Sequence, residues 1–241
     1  MNPGGATTAL RKRVHRANQA LVESGLVIET FGNVSAVDRK AGLFVIKPSG
    51  VPYEELTPAH MVPVALDTGR VLEGDLRPSS DTPTHLELYR AFACGGIAHS
   101  HSPYATAFAQ ARRPVPCLGT THADYFRGDV PVTRALTEEE ITSEYERHTG
   151  LVIVETFRSG GVSAEAVPGV LVASHGPFTW GPDAMTAVEH ARVLEHLALV
   201  ASLTLGLDAG AVPPAPYLVD KHFDRKHGTA AYYGQSKRGG A

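Results

Sequence analysis

Three histidines are the residues of this chain with the clearest potential for chemistry. His99 and His101 flank one serine, and His175 follows an apolar run at residues 169–173. Since side chains two residues apart on a strand share a face, His99 and His101 can direct two imidazoles to one point, and His175 can add a third from a second strand end. Three neutral ligands leave a divalent cation most of its charge and open coordination positions. That arrangement is typical of a catalytic metal site rather than a structural one.

A plainer interpretation stands beside this one, because the chain has 12 histidines and most histidines lie on protein surfaces. The spacing does not match the helical His-Glu-x-x-His zinc motif, so a zinc protease of that kind is not expected. Asp81, in a polar loop, could join the histidines as a ligand or act as a nearby base. It could equally cap the helix predicted to begin at Thr82, since aspartate is favoured at helix N-caps.

The composition is that of an ordinary globular protein of 241 residues, with 43% hydrophobic and 20% charged residues. A net charge of −3 gives no basic field for nucleic acid or membrane lipid, so neither partner is expected. Two cysteines provide no disulfide framework, which favours a reducing cytoplasm. The N-terminal residues lack the apolar segment of a signal peptide.

The sequence pattern predicts alternating helices and strands. Helices are expected at residues 8–24, from Thr82-Pro83, from Ser102-Pro103, from a Thr137–Glu140 capping box through Tyr145, at 184–207 and around 220–227. Strands are expected at residues 32–37, 43–46, 97–101 and 170–173, with a hairpin joining 62–66 to 70–73.

This order of elements favours an α/β fold with a single three-layer α/β/α domain over residues 1–235. Hairpin signals in the first half argue against a purely parallel sheet. We therefore expect a mixed, largely antiparallel central sheet with helices on both faces. The tail at residues 236–241 is rich in small and charged residues and is expected to be disordered.

Several different short segments rich in polar residues and glycine lie along the chain. They are Gly32-Asn33-Val34-Ser35, Lys47-Pro48-Ser49-Gly50, Pro78-Ser79-Ser80-Asp81, His99-Ser100-His101-Ser102, residues 120–126 (Thr-Thr-His-Ala-Asp-Tyr-Phe), Ser174-His175-Gly176, Asp220-Lys221-His222 and an ending from Lys226 to Gln235. Together they resemble the class II aldolase/epimerase family, and its epimerase members in particular. The resemblance extends over nearly the whole chain, from about Leu10 to Gln235.

The resemblance implies a metal-dependent epimerase that interconverts L-ribulose 5-phosphate and D-xylulose 5-phosphate. The C3–C4 bond would break in a retro-aldol step, and a metal-held enediolate would re-form it on the other face of the aldehyde. His99, His101 and His175 would hold the metal, with Asp81 as a fourth ligand or a nearby base. Imidazole ligands favour Zn²⁺, with Mn²⁺ or Co²⁺ as alternatives.

The same resemblance implies a set of phosphate-binding and substrate-binding residues. On their own these residues are mostly turn formers, and only the family pattern makes them ligands of a phosphorylated ketopentose. They are Gly32, Asn33, Lys47, Ser49, Gly50, Ser79, Ser80 and Thr120.

Inversion needs proton transfer on two faces of the substrate, and the resemblance assigns this to Asp124 and Tyr233, assisted by His222. In the family the tyrosine reaches the site of a neighbouring subunit. The expectation is therefore a homo-oligomer, a cyclic tetramer with sites between its subunits.

Two alternatives remain open from the sequence. A sugar-phosphate aldolase or a dehydratase of the same family would share the metal ligands, although the segment at 122–126 and the Tyr-Tyr-Gly-Gln ending favour the epimerase. A non-catalytic binding domain, as in the adducin head, would have no need of the histidines.

Overall fold

The computed structural model of the protein describes residues 3–228 and 231–232. In this part of the chain the helices are α1 Pro3–Glu23, α2 Thr82–Ala91, α3 Pro103–Gln110, α4 Thr120–Ala123, α5 Glu138–Thr142, α6 Tyr145–Gly160, α7 Ala184–Leu207 and α8 Pro216–His227. The strands are β1 Asn33–Asp38, β2 Leu43–Ile46, β3 Val62–Ala65, β4 Gly96–His99, β5 Gly169–Leu171 and β6 Pro177–Gly181. Tyr233 and the predicted disordered tail lie outside the described residues.

The six strands form one sheet in the order β3-β2-β1-β4-β6-β5. All five pairings between them are antiparallel. Parallel pairing within the described residues is confined to an isolated bridge between Val132 and Leu171. The sheet is thus more uniformly antiparallel than the mixed sheet expected, since hairpins join β1 to β2 and β5 to β6.

Helices cover both faces of the sheet, which confirms the three-layer expectation. Alternation along the strands turns Val34 and Ala98 towards α1 and the first half of α7, and Phe44 and Ile97 towards α2. The apolar stripe of α1 is buried against the first of these faces, and it consists of Leu10, Val14, Ala17 and Leu21. None of the described helices is long and apolar enough to cross a membrane.

Several element boundaries differ from those predicted. The Thr137–Glu140 capping box forms, but its helix ends at Thr142 because Ser143 leaves the helical region (φ −99°, ψ −97°). A separate helix, α6, then begins at Tyr145, and neither α6 nor β6 was predicted. The second arm of the hairpin, residues 70–73, pairs with β3 through a bridge at Val71 rather than as a strand.

Candidate active site

The predicted metal ligands meet at one edge of the sheet. β1 begins at Asn33, which pairs with His99 at the end of β4, and His99 in turn pairs with Phe178 near the start of β6. Because antiparallel neighbours begin and end at alternating edges, the first residue of β1 and the last of β4 lie together. His175 lies in the turn before β6 and so reaches the same edge.

The three histidines converge as predicted. Their candidate ligand atoms all lie within 4.8 Å of one another, and the Nε2 atoms of His99 and His101 are 3.0 Å apart. Two nitrogens bound to one ion at about 2.0–2.1 Å would be separated by a similar distance, about 3 Å. The predicted strand over 97–101 is too long, however, since β4 ends at His99. His101 reaches the site from the coil beyond the strand, where its ring stacks on Phe31 at a centroid distance of 5.8 Å.

His99 is fixed by its surroundings in one orientation. Its Nδ1 lies 2.9 Å from the carbonyl oxygen of Pro177, so Nδ1 carries the proton and donates it. Its ring stacks on Phe178 with the centroids 4.1 Å apart. Burial, together with the neighbouring His101, lowers the pKa of His99 to about 3. The imidazole is therefore neutral, and the lone pair of Nε2 is available to a metal.

His175 is held by an unusually close approach of two chain segments. Ser174 before it has a positive φ of 63°. A Cβ on Gly176 after it would lie 2.8 Å from the carbonyl oxygen of Ser100, so a larger residue would separate the two segments. Burial lowers the pKa of His175 to about 3, and the hydroxyl of Tyr145 lies 3.5 Å from its Nδ1. Three neutral imidazoles around one point fit a divalent cation.

Asp81 occupies the N-cap position of α2, but its side chain makes no capping hydrogen bond. Instead Oδ2 accepts a 2.7 Å hydrogen bond from Asn33 Nδ2 and lies 3.9 Å from Nε2 of His99. Of the two interpretations that the sequence left open, the side chain therefore supports a place at the histidine cluster rather than a cap.

A cleft of about 310 Å³ opens beside the histidines. It is lined by all the predicted ligands and by every predicted substrate-binding residue except Thr120, namely Gly32, Asn33, Lys47, Ser49, Gly50, Ser79 and Ser80. The loops that carry them are tied together, because Ser79 N donates to Lys47 O at 2.9 Å and Asn33 Nδ2 donates to Ser79 Oγ at 3.0 Å.

Lys47 is a buried cation at this cleft, only 2% exposed. Its Nζ donates to the carbonyl oxygen of Thr30 at 3.2 Å and lies 4.5 Å from the ring centre of Tyr53. None of the ion pairs in the described part of the chain gives it a carboxylate partner. Burial lowers the pKa of Lys47 to about 8. A bound anion would relieve this desolvation, which makes the cleft suited to a phosphate.

Two of the predicted proton-transfer residues, Asp124 and His222, lie away from this cleft. Asp124 follows α4, and its carboxylate is bound by Arg225 of α8 at 2.9 and 2.6 Å and by His222 Nδ1 at 3.1 Å. Burial opposes ionisation of Asp124, but the hydrogen bonds from Arg225 and His222 outweigh it and lower its pKa. Among the described residues that line the histidine cleft, neither these groups nor Thr120 is found.

Sequence reasoning missed several residues of these two clusters. Tyr145 and Glu146 line the cleft, but only through the unpredicted break between α5 and α6. Phe178, which supports His99, lies on the unpredicted β6. Arg225 did carry a signal, because it is three residues after His222 and so shares a helix face with it.

A cluster of neutral histidines beside a cleft with a buried lysine is suited to a divalent metal and a small anionic substrate. A profile of the family described as Class II Aldolase and Adducin N-terminal domain matches residues 12–202. The chain belongs to this family. This match confirms the family resemblance, and the enzyme relatives of this chain confirm the expectation of an enzyme.

Two curated relatives from Salmonella paratyphi A (strain ATCC 9150 / SARB42) and Salmonella typhi are each named L-ribulose-5-phosphate 4-epimerase UlaF. Each is 54% identical over 227 residues, which cover 94% of this chain and 98% of the relative. A solved structure of L-fuculose 1-phosphate aldolase is similar with a TM-score of 0.76 and 25% identity, covering 90% of this chain and 95% of that one. L-fuculose-1-phosphate aldolase from Thermus thermophilus has a TM-score of 0.64 at 26% identity, over 84% and 98% of the two chains.

Proposed function

We propose that the protein is a metal-dependent L-ribulose-5-phosphate 4-epimerase of the cytoplasm. The observation that carries this proposal is the 54% identity, over 94% of the chain, to epimerases of that name. The histidine cluster and the cleft with the buried Lys47 support it, because the reaction needs a metal and a phosphate site side by side. Two free, buried cysteines are compatible with a reducing compartment.

Lys47 and the loops around it would bind the phosphate of the substrate. The ammonium supplies charge, and Ser49, Gly50 and Ser80 are exposed in the cleft, where they offer backbone and hydroxyl donors. Asn33 donates from Nδ2 to Ser79 and Asp81, which links the phosphate loops to the histidine cluster. The phosphate and the reacting carbons would then be held within one cleft.

His99, His101 and His175 would hold the cation, for which we propose Zn²⁺, with Mn²⁺ or Co²⁺ as alternatives. When bound, it would supply Lewis-acid stabilisation for the negative charge that develops on two neighbouring substrate oxygens. Asn33 keeps the Asp81 carboxylate beside His99, where Asp81 would serve as a further ligand or as a base for a substrate hydroxyl.

Asp124 and Tyr233, assisted by His222, would transfer protons on the two faces of the aldehyde. Arg225 and His222 keep the Asp124 carboxylate ionised and oriented. Since this cluster is not part of the histidine cleft of its own chain, we propose that a second copy completes each site. A cyclic homotetramer would let every copy give and receive these residues.

A class II sugar-phosphate aldolase is the second candidate, favoured by the similarity to the solved L-fuculose 1-phosphate aldolase. The two activities differ in whether the cleaved fragments are rejoined or released. Purified protein incubated with L-ribulose 5-phosphate should form D-xylulose 5-phosphate, lose this activity with a chelator and regain it with a divalent metal. Accumulation of free glycolaldehyde phosphate would instead identify an aldolase. Metal-free, inactive protein purified without chelator would favour a binding domain.

A further inference from the structure

Tyr145 lines the histidine cleft, and the reaction proposed above gives it no role. It is the first residue of α6 and lies at the cleft together with His101 and His175. Its hydroxyl is 3.5 Å from Nδ1 of His175, and the two rings are inclined at 32° with their centroids 6.3 Å apart. The phenol is therefore in contact with one of the three imidazoles proposed to hold the cation.

The backbone of Tyr145 is held by hydrogen bonds from its own helix and from α2. Its carbonyl oxygen accepts a 2.9 Å hydrogen bond from Thr149 Oγ1. The carbonyl oxygen of the next residue, Glu146, accepts one from the hydroxyl of Thr84 on α2. Because α2 also carries Asp81 at its N-cap, the start of α6 is tied to the element that brings a carboxylate to the histidines. The phenol is thus placed by helix packing.

The contact at Nδ1 determines which nitrogen of His175 is left for a cation. In His99 the carbonyl oxygen of Pro177 occupies Nδ1, which leaves Nε2 for the metal. In His175 the group at Nδ1 is the hydroxyl of Tyr145, so Nε2 is again the nitrogen that remains. A neutral imidazole that shares the lone pair of Nε2 carries its proton on Nδ1. With a cation bound, Nδ1 therefore donates and the oxygen of Tyr145 accepts.

The Tyr145 hydroxyl is a neutral acceptor. Burial raises the pKa of Tyr145, while a hydrogen bond with Thr149 acts against that rise. The phenol therefore keeps its own proton at neutral pH and accepts through an oxygen lone pair. A carboxylate in the same place would add negative charge next to the ligand. A phenol fixes the imidazole and leaves the cation more of its charge for substrate oxygens.

We propose that Tyr145 is a positioning residue whose hydroxyl accepts a hydrogen bond from Nδ1–H of His175. This bond aims the Nε2 lone pair of His175 at the cation shared with His99 and His101. Histidines that bind metals generally use their second nitrogen in this way, and the partner group contributes to metal affinity. The inference rests on the proposed function for the presence of a metal, but on no step of the epimerase reaction.

The first test measures Zn²⁺ affinity of the full chain after removal of metal, by competition with a chromophoric chelator. Tyr145→Phe removes the hydroxyl and keeps the ring, and we expect it to weaken Zn²⁺ binding about 10- to 100-fold. Tyr104→Phe is the matched control, because Tyr104 lies outside the cleft and is 41% exposed. It should bind Zn²⁺ as the unsubstituted protein does. Unchanged affinity in Tyr145→Phe would overturn the proposal.

A comparison with Tyr145→Leu separates the hydroxyl from the packing of the ring. If the hydroxyl supports His175, Tyr145→Phe and Tyr145→Leu should both lose affinity. If only the ring matters, Tyr145→Phe should bind Zn²⁺ normally and Tyr145→Leu alone should be weaker, which would contradict the proposal. The unfolding midpoint of each metal-free variant is measured alongside, and that of Tyr145→Phe should stay close to the unsubstituted value.

The second test is ¹⁵N NMR of the histidine-labelled, Zn²⁺-loaded protein, which does not depend on how stable the variants are. His175 should bind Zn²⁺ through Nε2 and carry its proton on Nδ1, and the Nδ1–H resonance should shift in Tyr145→Phe. Zn²⁺ on Nδ1 of His175 would overturn the proposal whatever the affinities are. An unsubstituted protein that binds no Zn²⁺ would refute both the metal site and this inference. One that binds Zn²⁺ but has no epimerase activity would refute the proposed function and leave this inference standing.

Discussion

The guanidinium of Arg225 donates two hydrogen bonds to the Asp124 carboxylate, with N–O distances of 2.9 and 2.6 Å. This pair fastens α8 to the end of α4, apart from the cleft that contains His99. Pairs with this forked geometry are among the strongest in proteins and fix orientation as well as charge. The carboxylate is therefore ionised and held in one orientation, apart from the histidine cleft of its own chain.

Mixed oligomers of two inactive variants should regain epimerase activity if neighbouring copies share a site. We expect His99→Asn to lose metal and nearly all activity, and Asp124→Asn to keep metal but lose epimerisation. Co-expression of both, with two affinity tags to isolate mixed oligomers, should recover about a quarter of the wild-type activity in an equally mixed cyclic tetramer. Mixed oligomers that stay inactive would show that each chain completes its own site.

Metal binding should depend on the three clustered histidines and not on histidines elsewhere in the chain. In His99→Asn the metal per subunit, measured by elemental analysis, should fall close to zero because one ligand and its support from Pro177 are lost. His148→Asn, on α6, is the matched control and should keep full metal. Equal metal loss in His99→Asn and Asp124→Asn would contradict the separate roles assigned to these residues.

Phosphate binding should weaken in alkaline solution. Lys47 has its pKa lowered to about 8 by burial, so its positive charge is present below that pH and is lost as the pH rises through it. Because kcat/KM reports the free enzyme, it should fall above pH of about 8. In Lys47→Arg the charge does not titrate, and this alkaline fall should disappear even though KM rises. If kcat/KM of Lys47→Arg still falls above pH of about 8, the fall is caused by titration of another group.

Substitution by alanine should lower the unfolding free energy by different amounts at two glycines that have similar φ angles. Gly32 (φ +77°) has the carbonyl oxygen of His99 2.8 Å from where a Cβ would lie, whereas Gly50 (φ +69°) has open space there. Gly32→Ala should lower the unfolding free energy by about 1–3 kcal/mol and weaken metal binding. Gly50→Ala should cost about 1 kcal/mol from φ alone. Denaturant titrations of both variants measure the difference, and equal losses would mean that the contact with His99 has no effect.

The features that were predicted correctly from the sequence are those that depend on residues close together in the chain. The capping box at Thr137 formed, the helix expected at 184–207 has those bounds, and five of the eight polar segments contribute residues to one cleft. β6 could not be predicted from its own residues, because it begins with Pro177 and ends with Gly181, both of which are typical of turns.

The remaining site features depend on partners far along the chain. Asp81 is directed away from the helix cap by Asn33, which lies 48 residues earlier. His101 lies just beyond the end of β4, so its position beside His99 also depends on packing outside the strand, including the stacked ring of Phe31. Asp124 is paired with residues about 100 positions away, so its separation from the cleft is a property of tertiary packing alone.

With Asp81 in its proposed role, the uncapped start of α2 would set stability and turnover against each other at one position. A capping side chain contributes about 0.5–2 kcal/mol to a helix, and Asp81 stands in the place to supply it but is engaged with Asn33 instead. A residue that returned to the cap would make the fold more robust and leave the histidines without their carboxylate. Selection for heat resistance and selection for catalysis would therefore favour different behaviour of the same side chain, which makes this helix end a point where evolution of the enzyme is constrained.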